Sequence, residues 1–585
     1  MEAASVVVPG DHHPVMEVED KGLKKGLGFF STLVIGINST APAYSLAAVL
    51  SGIVVAVGVQ APASLIVSFV PMFFIAASFY YMNRADPDCG TTFTWVTNAL
   101  GPWSGWISGW AVCMTGVLVI GSLADVAAIY TYSILGMDSA AESVGAITAL
   151  AVAYIALTTA ICVIGTEISA NVQVVLGAVQ ILGLVLLAVV AIVKVALGDV
   201  STAPVAIGEE SILMQPPGFS LDWFLPWDIS STTGLTAGLL IGVFIYWGWE
   251  SSLTLNEESE DSDDSGRAGI VATVLLVVLY VLLATALLAY AGLPAFESAD
   301  AQGIESGLFD DLAGSILGEP LAKLVILAVL TSALASTQTT ILPASRTSLS
   351  MARQAALPQA FGEVSPRWFT PVFSTIAVGL LAAAWYVPLN LLAQGTLFDS
   401  LQALSLLIAF YYAINGVSCF IVDRREILRP GPWIALSIGL LVAGGALLLI
   451  GGVGDYEDWG GDFGAHTWVG LALLVALVLV LLAGRTTVKA AAFLGIAPLV
   501  GAVLLGYVLV RSLLDLADPG NSSSGDTWLG VTPALVMGLG ALGVGVIIMV
   551  LWRVLRPKPY FERRRLVVPH EVALEAPVER QEGTS

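Results

Sequence analysis

Charge is scarce in this chain. Only 12% of its 585 residues are Asp, Glu, Lys or Arg, against 57% apolar, where a soluble domain carries roughly 25% charged residues. Much of the chain therefore cannot face water. Its 4 cysteines include none paired at redox or metal spacing, and three of them sit in apolar runs, so they read as packing residues. The 4 histidines, His12, His13, His466 and His570, fall in tails or a loop, which argues against a metal site. The first 25 residues lack the apolar core of a cleavable signal. No segment between apolar runs is long enough for a separate soluble domain, and no nucleophile or metal cluster stands out. An enzyme is not expected, nor a cofactor, nor nucleic acid as a partner.

Long apolar runs are abundant. Stretches of about 20 residues, enough to cross ~30 Å of hydrocarbon as helix, recur from 28–52 to 530–552. Short strands of alternating polarity, which would signal a membrane barrel, are absent. The pattern predicts an all-α polytopic membrane protein with about 14 spans. Residues 1–25 form an N-terminal tail, 26–422 a ten-span core, 432–555 four further spans and 556–585 a C-terminal tail. The sixth span is placed at 234–255, the eighth at 321–352, and the last four at 432–452, 467–484, 490–510 and 530–552. With the N-terminus inside and the chain alternating sides, all of the 23 lysines and arginines except Lys194, Lys323 and Arg511 fall on the inner side. That asymmetry predicts a cytoplasmic membrane protein with both termini in the cytoplasm. The net charge of −22 arises largely from acid in outer loops and reads as solvated surface. The acid block "NEESEDSDDSGR" (256–267) likewise reads as a solvated inner loop.

Two spans contain residues that helices in lipid rarely tolerate. In span one, "IGINSTAPAYS" sets Gly36, Asn38, Ser39, Thr40, Ala41 and Pro42 at mid-span. In span six, "FIYWGWESS" sets Tyr246, Trp247, Gly248, Trp249 and Glu250 there. Pro42 has no N–H and clashes with the carbonyl of Asn38, so the helix should break beside it. Unpaired backbone at membrane depth is tolerated only where protein or water lines it. Interrupted segments at matching positions of two halves point to a transporter's binding site. Close packing of small residues would explain Gly36 or Gly248 alone, but not Pro42 and a buried Glu250 together.

At this point the residues resemble a family. "GVFIYWGWESSLTLNEES" is similar to the sixth span of amino acid–polyamine–organocation permeases, with a Glu pair, Glu257 and Glu258, following the aromatic core. "PDCGTTFTWVTNALGPWSGWISGW" (87–110) resembles that family's second loop and third-span entry. "RTSLSMARQAALPQAFGEVSPRWFTPV" (346–372) resembles its loop after span eight. The resemblance covers roughly residues 25 to 422. It implies the leucine-transporter fold: two inverted five-helix repeats, about 28–193 and 234–422, with helices one and six broken. It implies amino acids, polyamines or related organocations as substrates, moved by alternating access. In such a family the last four spans are peripheral. The Gly-Ser-Gly run of many members is replaced here by Gly36-Ile37-Asn38-Ser39-Thr40-Ala41, and span five carries no lysine before Lys194.

The expected substrate site is Asn38, Ser39, Thr40, Ala41, Tyr246, Trp247, Gly248 and Trp249, with the helix breaks at Gly36, Pro42 and Gly248. Two acids fall within spans, Glu250 and Asp125; intramembrane acids are costly and are candidates for carrying a proton. Span eight offers Ser336, Thr337, Thr339 and Thr340, and in this fold span-eight hydroxyls can ligate sodium; Thr337 and Thr340 are the candidates. The expected partners are thus a small-molecule substrate, a proton or sodium ion, and the lipid bilayer. The expected function is secondary active transport of amino acids, by proton symport. Sodium symport or amino acid/amine antiport are its rivals, and a non-transporting membrane sensor or partner subunit is the alternative of a different class.

Overall fold

The computed structural model describes residues 22–427 and 491–562 apart from 201–203, 208–209, 230–231, 303–304, 394–395, 523 and 556–558, with scattered positions between 428 and 490. The expected spans at 432–452 and 467–484 and most of both tails lie outside the described residues. Span one is two helices, α1 (Phe29–Ser39) and α2 (Pro42–Val57). Span two is α3 (Ala61–Ala85), and a short α4 (Thr92–Leu100) leads into α5 (Pro102–Ile134), the third span. After a single turn, α6 (Asp138–Ala141), spans four and five are α7 (Val144–Ile164) and α8 (Thr166–Leu197). A small antiparallel hairpin follows, β1 (Pro204–Ile207) with β2 (Glu210–Leu213). Span six is α9 (Thr232–Ile245) and then a tighter 3₁₀ segment, Trp249–Leu255.

Span seven is α10 (Ser262–Ala291). Two loop helices, α11 (Leu293–Gln302) and α12 (Glu305–Leu317), precede span eight, α13 (Glu319–Arg353). Spans nine and ten are α14 (Val372–Leu392) and α15 (Thr396–Ile427). Two further spans, α16 (Ala497–Asp515) and α17 (Pro533–Leu555), and a terminal turn, α18 (Pro559–Glu562), complete the described chain. Ten helical stretches among the described residues are long and apolar enough to cross a membrane. One of them, Phe29–Ala85, runs through spans one and two. Span six is not among them, because it is interrupted.

The side chains are arranged for lipid rather than water. Along α8, Val175, Leu182, Val185, Val189 and Val193 face outward, while Gln173, Gln180 and Leu187 are buried. In hydrocarbon an exposed valine costs nothing, whereas a polar group must find a partner inside. The long helices α5 and α13 pack along each other at the centre, and α3 packs against α10.

The later spans are bolted to the core. The helix α16 lies against α3 and α15, and α17 against α5 and α15; Trp110 Nε1 donates to the carbonyl of Ala541 at 2.8 Å. Tyr560, fully buried, donates its hydroxyl to the carbonyl of Pro102 at 2.9 Å and meets the Thr97 hydroxyl at 2.9 Å. Its ring stacks on Phe93 with centroids 5.6 Å apart.

Candidate functional site

Both interruptions are visible in the backbone. The last turn of α1 tightens, with Thr40 N–H on Ile37 O and Ala41 N–H on Asn38 O. Ala41 then takes a left-handed conformation, φ 48°, and Pro42 opens α2. A left-handed alanine costs about 1–2 kcal/mol, so packing has to hold it. In span six, Trp247 N–H closes a tight turn on Phe244 O, and Gly248 adopts φ 115°.

The two interruptions touch. A β-carbon on Gly248 would stand 2.7 Å from Ser39 O, and one on Gly36 would stand 3.2 Å from Trp249 O. The hydroxyls of Ser39 and Ser251 lie 2.7 Å apart, and Ser336 of α13 donates to Ser39 O at 2.9 Å. Span eight thus satisfies a carbonyl that the break leaves without a helical partner. Tyr280 of α10 does the same for Ile245 O at 2.9 Å.

Glu250 is buried beside this junction. Tyr411 and Tyr412 of α15 each donate a hydroxyl to one of its carboxylate oxygens, and Gly248 N–H donates to it at 3.1 Å. The indole N–H of Trp247 donates to the Tyr411 hydroxyl. No lysine or arginine pairs with Glu250 among the described residues. The other aromatics are occupied in packing: Tyr246 donates to Leu65 O at 3.0 Å, and Trp249 sits edge-on to Phe79 at 5.2 Å.

Asp125 lies elsewhere, between spans three, four and nine. It accepts from the Tyr386 hydroxyl and from Asn390 Nδ2, which also reaches Thr148. Of the span-eight hydroxyls, Thr337 donates to Ala333 O at 2.8 Å and Thr339 to Ala335 O at 3.0 Å. The Thr340 hydroxyl is buried with no hydrogen-bond partner among the described residues. Thr40 donates to Ile37 O at 2.7 Å. The Asn38 amide points away from the junction, into span five, where it meets Gln173 and Gln180.

Near the end of the bundle where the chain enters span one, the acid block departs from the solvated loop expected of it. Glu258 is fully buried and takes two bonds from Arg346 of α13, at 2.8 and 3.2 Å; Arg346 also donates to Thr166 at 3.1 Å. The Glu258 backbone carbonyl accepts the N–H groups of Gly26 and Leu27. Asp263 pairs with Arg84 at 3.2 Å and Arg267 at 2.7 Å. Burial would push Glu257 up, but Arg353 at 2.7 Å and the Cys89 N–H hold it below the usual carboxylate range. Asp86 goes the other way, up to about 6, through burial and the neighbouring Asp88.

Asp88, Cys89 and Glu257 bring three possible metal-ligand atoms within 4.8 Å of one another. Three of the carboxylate oxygens are already engaged: Asp88 Oδ1 accepts from Gly90 N, Thr94 and Ser350, Glu257 Oε1 from Cys89 N and Glu257 Oε2 from Arg353. The group therefore reads as a hydrogen-bonded cluster rather than a metal centre.

Sequence reasoning missed Tyr411 and Tyr412, the amides of spans five and eight, and the Arg346–Glu258 pair. A signal existed for the amides. Gln173 and Gln180 are seven residues apart and share one helix face, in a span otherwise almost wholly aliphatic.

Among known protein families, the one described as amino acid permease matches residues 27–453. No curated protein matches the chain.

Proposed function

The chain belongs to the amino acid permease family, a class of multi-pass membrane transporters, and on that premise we propose that it is a proton-coupled symporter of zwitterionic amino acids. The site lies where the interruptions of spans one and six meet, and Glu250 carries the coupling proton. The observation that carries this reading is the environment of Glu250: a buried carboxylate at the junction, held by hydroxyl and amide donors with no cationic partner. Neutral donors stabilise a carboxylate without fixing its charge, so a proton can be taken and released as the surroundings change. Among the described residues no Lys or Arg side chain lies at the junction, which disfavours an anionic substrate. The donors that fill Glu250's oxygens leave little for a substrate's side-chain cation, which favours zwitterions over polyamines.

Two inverted five-helix halves are part of this reading. The packing supports it: span one lies on span six, two on seven, three on eight and four on nine, each against its counterpart five spans on. Alternating access then consists of movement of the broken helices against spans three, four, eight and nine. The inner-side excess of Lys and Arg supports a cytoplasmic-membrane location with both ends in the cytoplasm. The buried, unpartnered Thr340 hydroxyl is the feature that favours sodium as the alternative coupling ion.

Uptake of labelled amino acids and amines into proteoliposomes, with proton and sodium gradients imposed separately, tests the proposal. Accumulation of a neutral amino acid driven by the proton gradient alone is expected. Accumulation driven only by sodium would transfer the coupling role to span eight. Transport dependent on an internal amine would make the protein an antiporter.

A further inference from the structure

Five buried side chains from spans one, five and eight form one continuous chain. Gln180 Nε2 donates to Asn38 Oδ1 at 2.7 Å, and Asn38 Nδ2 donates to Gln173 Oε1 at 2.7 Å. Gln173 Nε2 donates to Gln338 Oε1 at 3.1 Å, and Gln338 Nε2 donates to the Ser169 hydroxyl. The direction is set by the backbone. Carbonyls can only accept, and Asn38, Gln173 and Gln338 each also give a hydrogen to one: Gln173 O at 2.7 Å, Ala335 O at 3.1 Å and Ser169 O at 3.3 Å. Each of these three amides therefore has its nitrogen and oxygen fixed. Gly177 makes room for the chain, since a β-carbon there would stand 2.6 Å from Asn38 Oδ1.

We propose that this amide chain is a positioning device for transport: it holds α1, and with it the interruption at Ser39–Ala41, against spans five and eight, and it must part each time the protein opens at the end where span one begins. Asn38 immediately precedes Ser39, whose hydroxyl and carbonyl both join the junction. Both hydrogens of its amide and its oxygen are used in the chain, so Asn38 acts through Ser39 and does not hold substrate itself. The chemistry suits a contact that has to break repeatedly. A neutral hydrogen bond costs on the order of 1 kcal/mol net to give up, whereas parting a buried ion pair costs several times more. Four uncharged links between side chains are strong enough together to specify one register and weak enough singly to release in sequence.

The proposal rests on the alternating-access reading, so its test has one arm that needs no known substrate. Hydrogen–deuterium exchange of Phe29–Ser39 in the full-length protein is expected to rise about tenfold in Gln173→Leu and Gly177→Ala, the effect of losing one to two buried bonds. The second arm uses Gln173→Glu. Its protonated acid can donate to Gln338 and accept from Asn38, whereas its carboxylate cannot donate. Substrate exchange across proteoliposomes, expressed relative to the native protein at each pH, should approach unity in acid and fall about tenfold at high pH, with KM changed less than about twofold. Unchanged exchange of Phe29–Ser39 in both Gln173→Leu and Gly177→Ala overturns the proposal. So does a Gln173→Glu ratio that stays flat with pH, or one whose change lies wholly in KM. Failure to find any transported amino acid would count against the symport reading and leave the exchange arm to decide this one.

Discussion

The carbonyl oxygen of Ser39 lies 2.7 Å from where a β-carbon on Gly248 would stand, and Thr40 N only 3.0 Å from it. Two chain segments about 210 residues apart thus meet backbone to backbone, through a residue that has no side chain and has φ 115°. Gly248→Ala is expected to fail on both counts. The left-handed conformation alone costs about 1–2 kcal/mol, and the neighbour in the way is backbone, which cannot swing aside. A melting point within a degree of the native protein's, with uptake intact, would show that the contact is not required.

Removing the charge at residue 250 separates coupling from passage. Glu250→Gln keeps the size of the side chain but replaces one acceptor oxygen with a donor facing the Tyr412 hydroxyl and Gly248 N–H. Gradient-driven accumulation should fall by a factor of ten or more, of the order seen when a buried hydrogen-bonded charge is lost, while gradient-free exchange of labelled for unlabelled substrate survives. Tyr411→Phe and Tyr412→Phe each remove one donor and should shift the pH profile of uptake without abolishing it. Loss of exchange as well as accumulation in Glu250→Gln would instead place Glu250 in substrate binding.

Stability should respond to Asp86, which lies in the loop after α3. Burial first, and then the charge of Asp88, push its carboxyl from the ordinary 3.8 up to about 6 in the folded chain. Between those pH values the folded state binds more protons than the unfolded one, so this group lowers stability as pH rises from about 4 to about 6 and leaves it lowered above. Asp86→Asn can still accept the Asn98 amide hydrogen that reaches Oδ2 at 2.9 Å. It should therefore melt above the native protein at pH 7.5, by no more than about 2 kcal/mol of stabilisation, and match it near pH 3.5. Melting curves in detergent at the two pH values check the sign.

The Arg346–Glu258 pair should behave as a closed lock. Arg346→Ala leaves Glu258 buried without a counter-charge, a loss of about 3–5 kcal/mol. A double replacement of both residues by Met removes the charge together with its need for a partner and should be more stable than the single variant. Cys89 reports on the same region, because its Sγ lies 3.6 Å from Arg346 O and is buried. In a background where the other three cysteines are serine, the double variant should label at Cys89 faster than the native pair. Equal labelling rates would mean that the pair does not govern access there.

What could be read from the residues and what could not divides by the range of the interactions. Proline and glycine act on their own backbone, so Pro42 and Gly248 mark helix ends in the sequence. Apolar length marks the spans for the same local reason, and Lys and Arg, which count loop by loop, mark their expected sides. The partners of polar side chains depend on which spans become neighbours. Nothing local to Glu250 names Tyr411 and Tyr412, about 160 residues later, and nothing in "NEESEDSDD" shows that Glu258 will be covered by Arg346 while Glu260 and Asp261 stay exposed. Asn38 shows the limit most clearly. Its place at the interruption suggested contact with substrate, yet its amide turns into span five, a direction set by the rotation of α1 about its axis.

The burial of Tyr560 against Thr97 and Pro102 has a practical side. The last described membrane helix does not simply trail from the transporter; its exit segment is wedged under the short helix α4, which one turn earlier carries Thr94 toward Asp88 and Gln354. A fluorescent or affinity tag joined close behind Glu562 would tug on that wedge, and a chain stopped at Leu555 would lose it. For activity measurements, a fusion partner belongs at the other terminus or behind a long spacer.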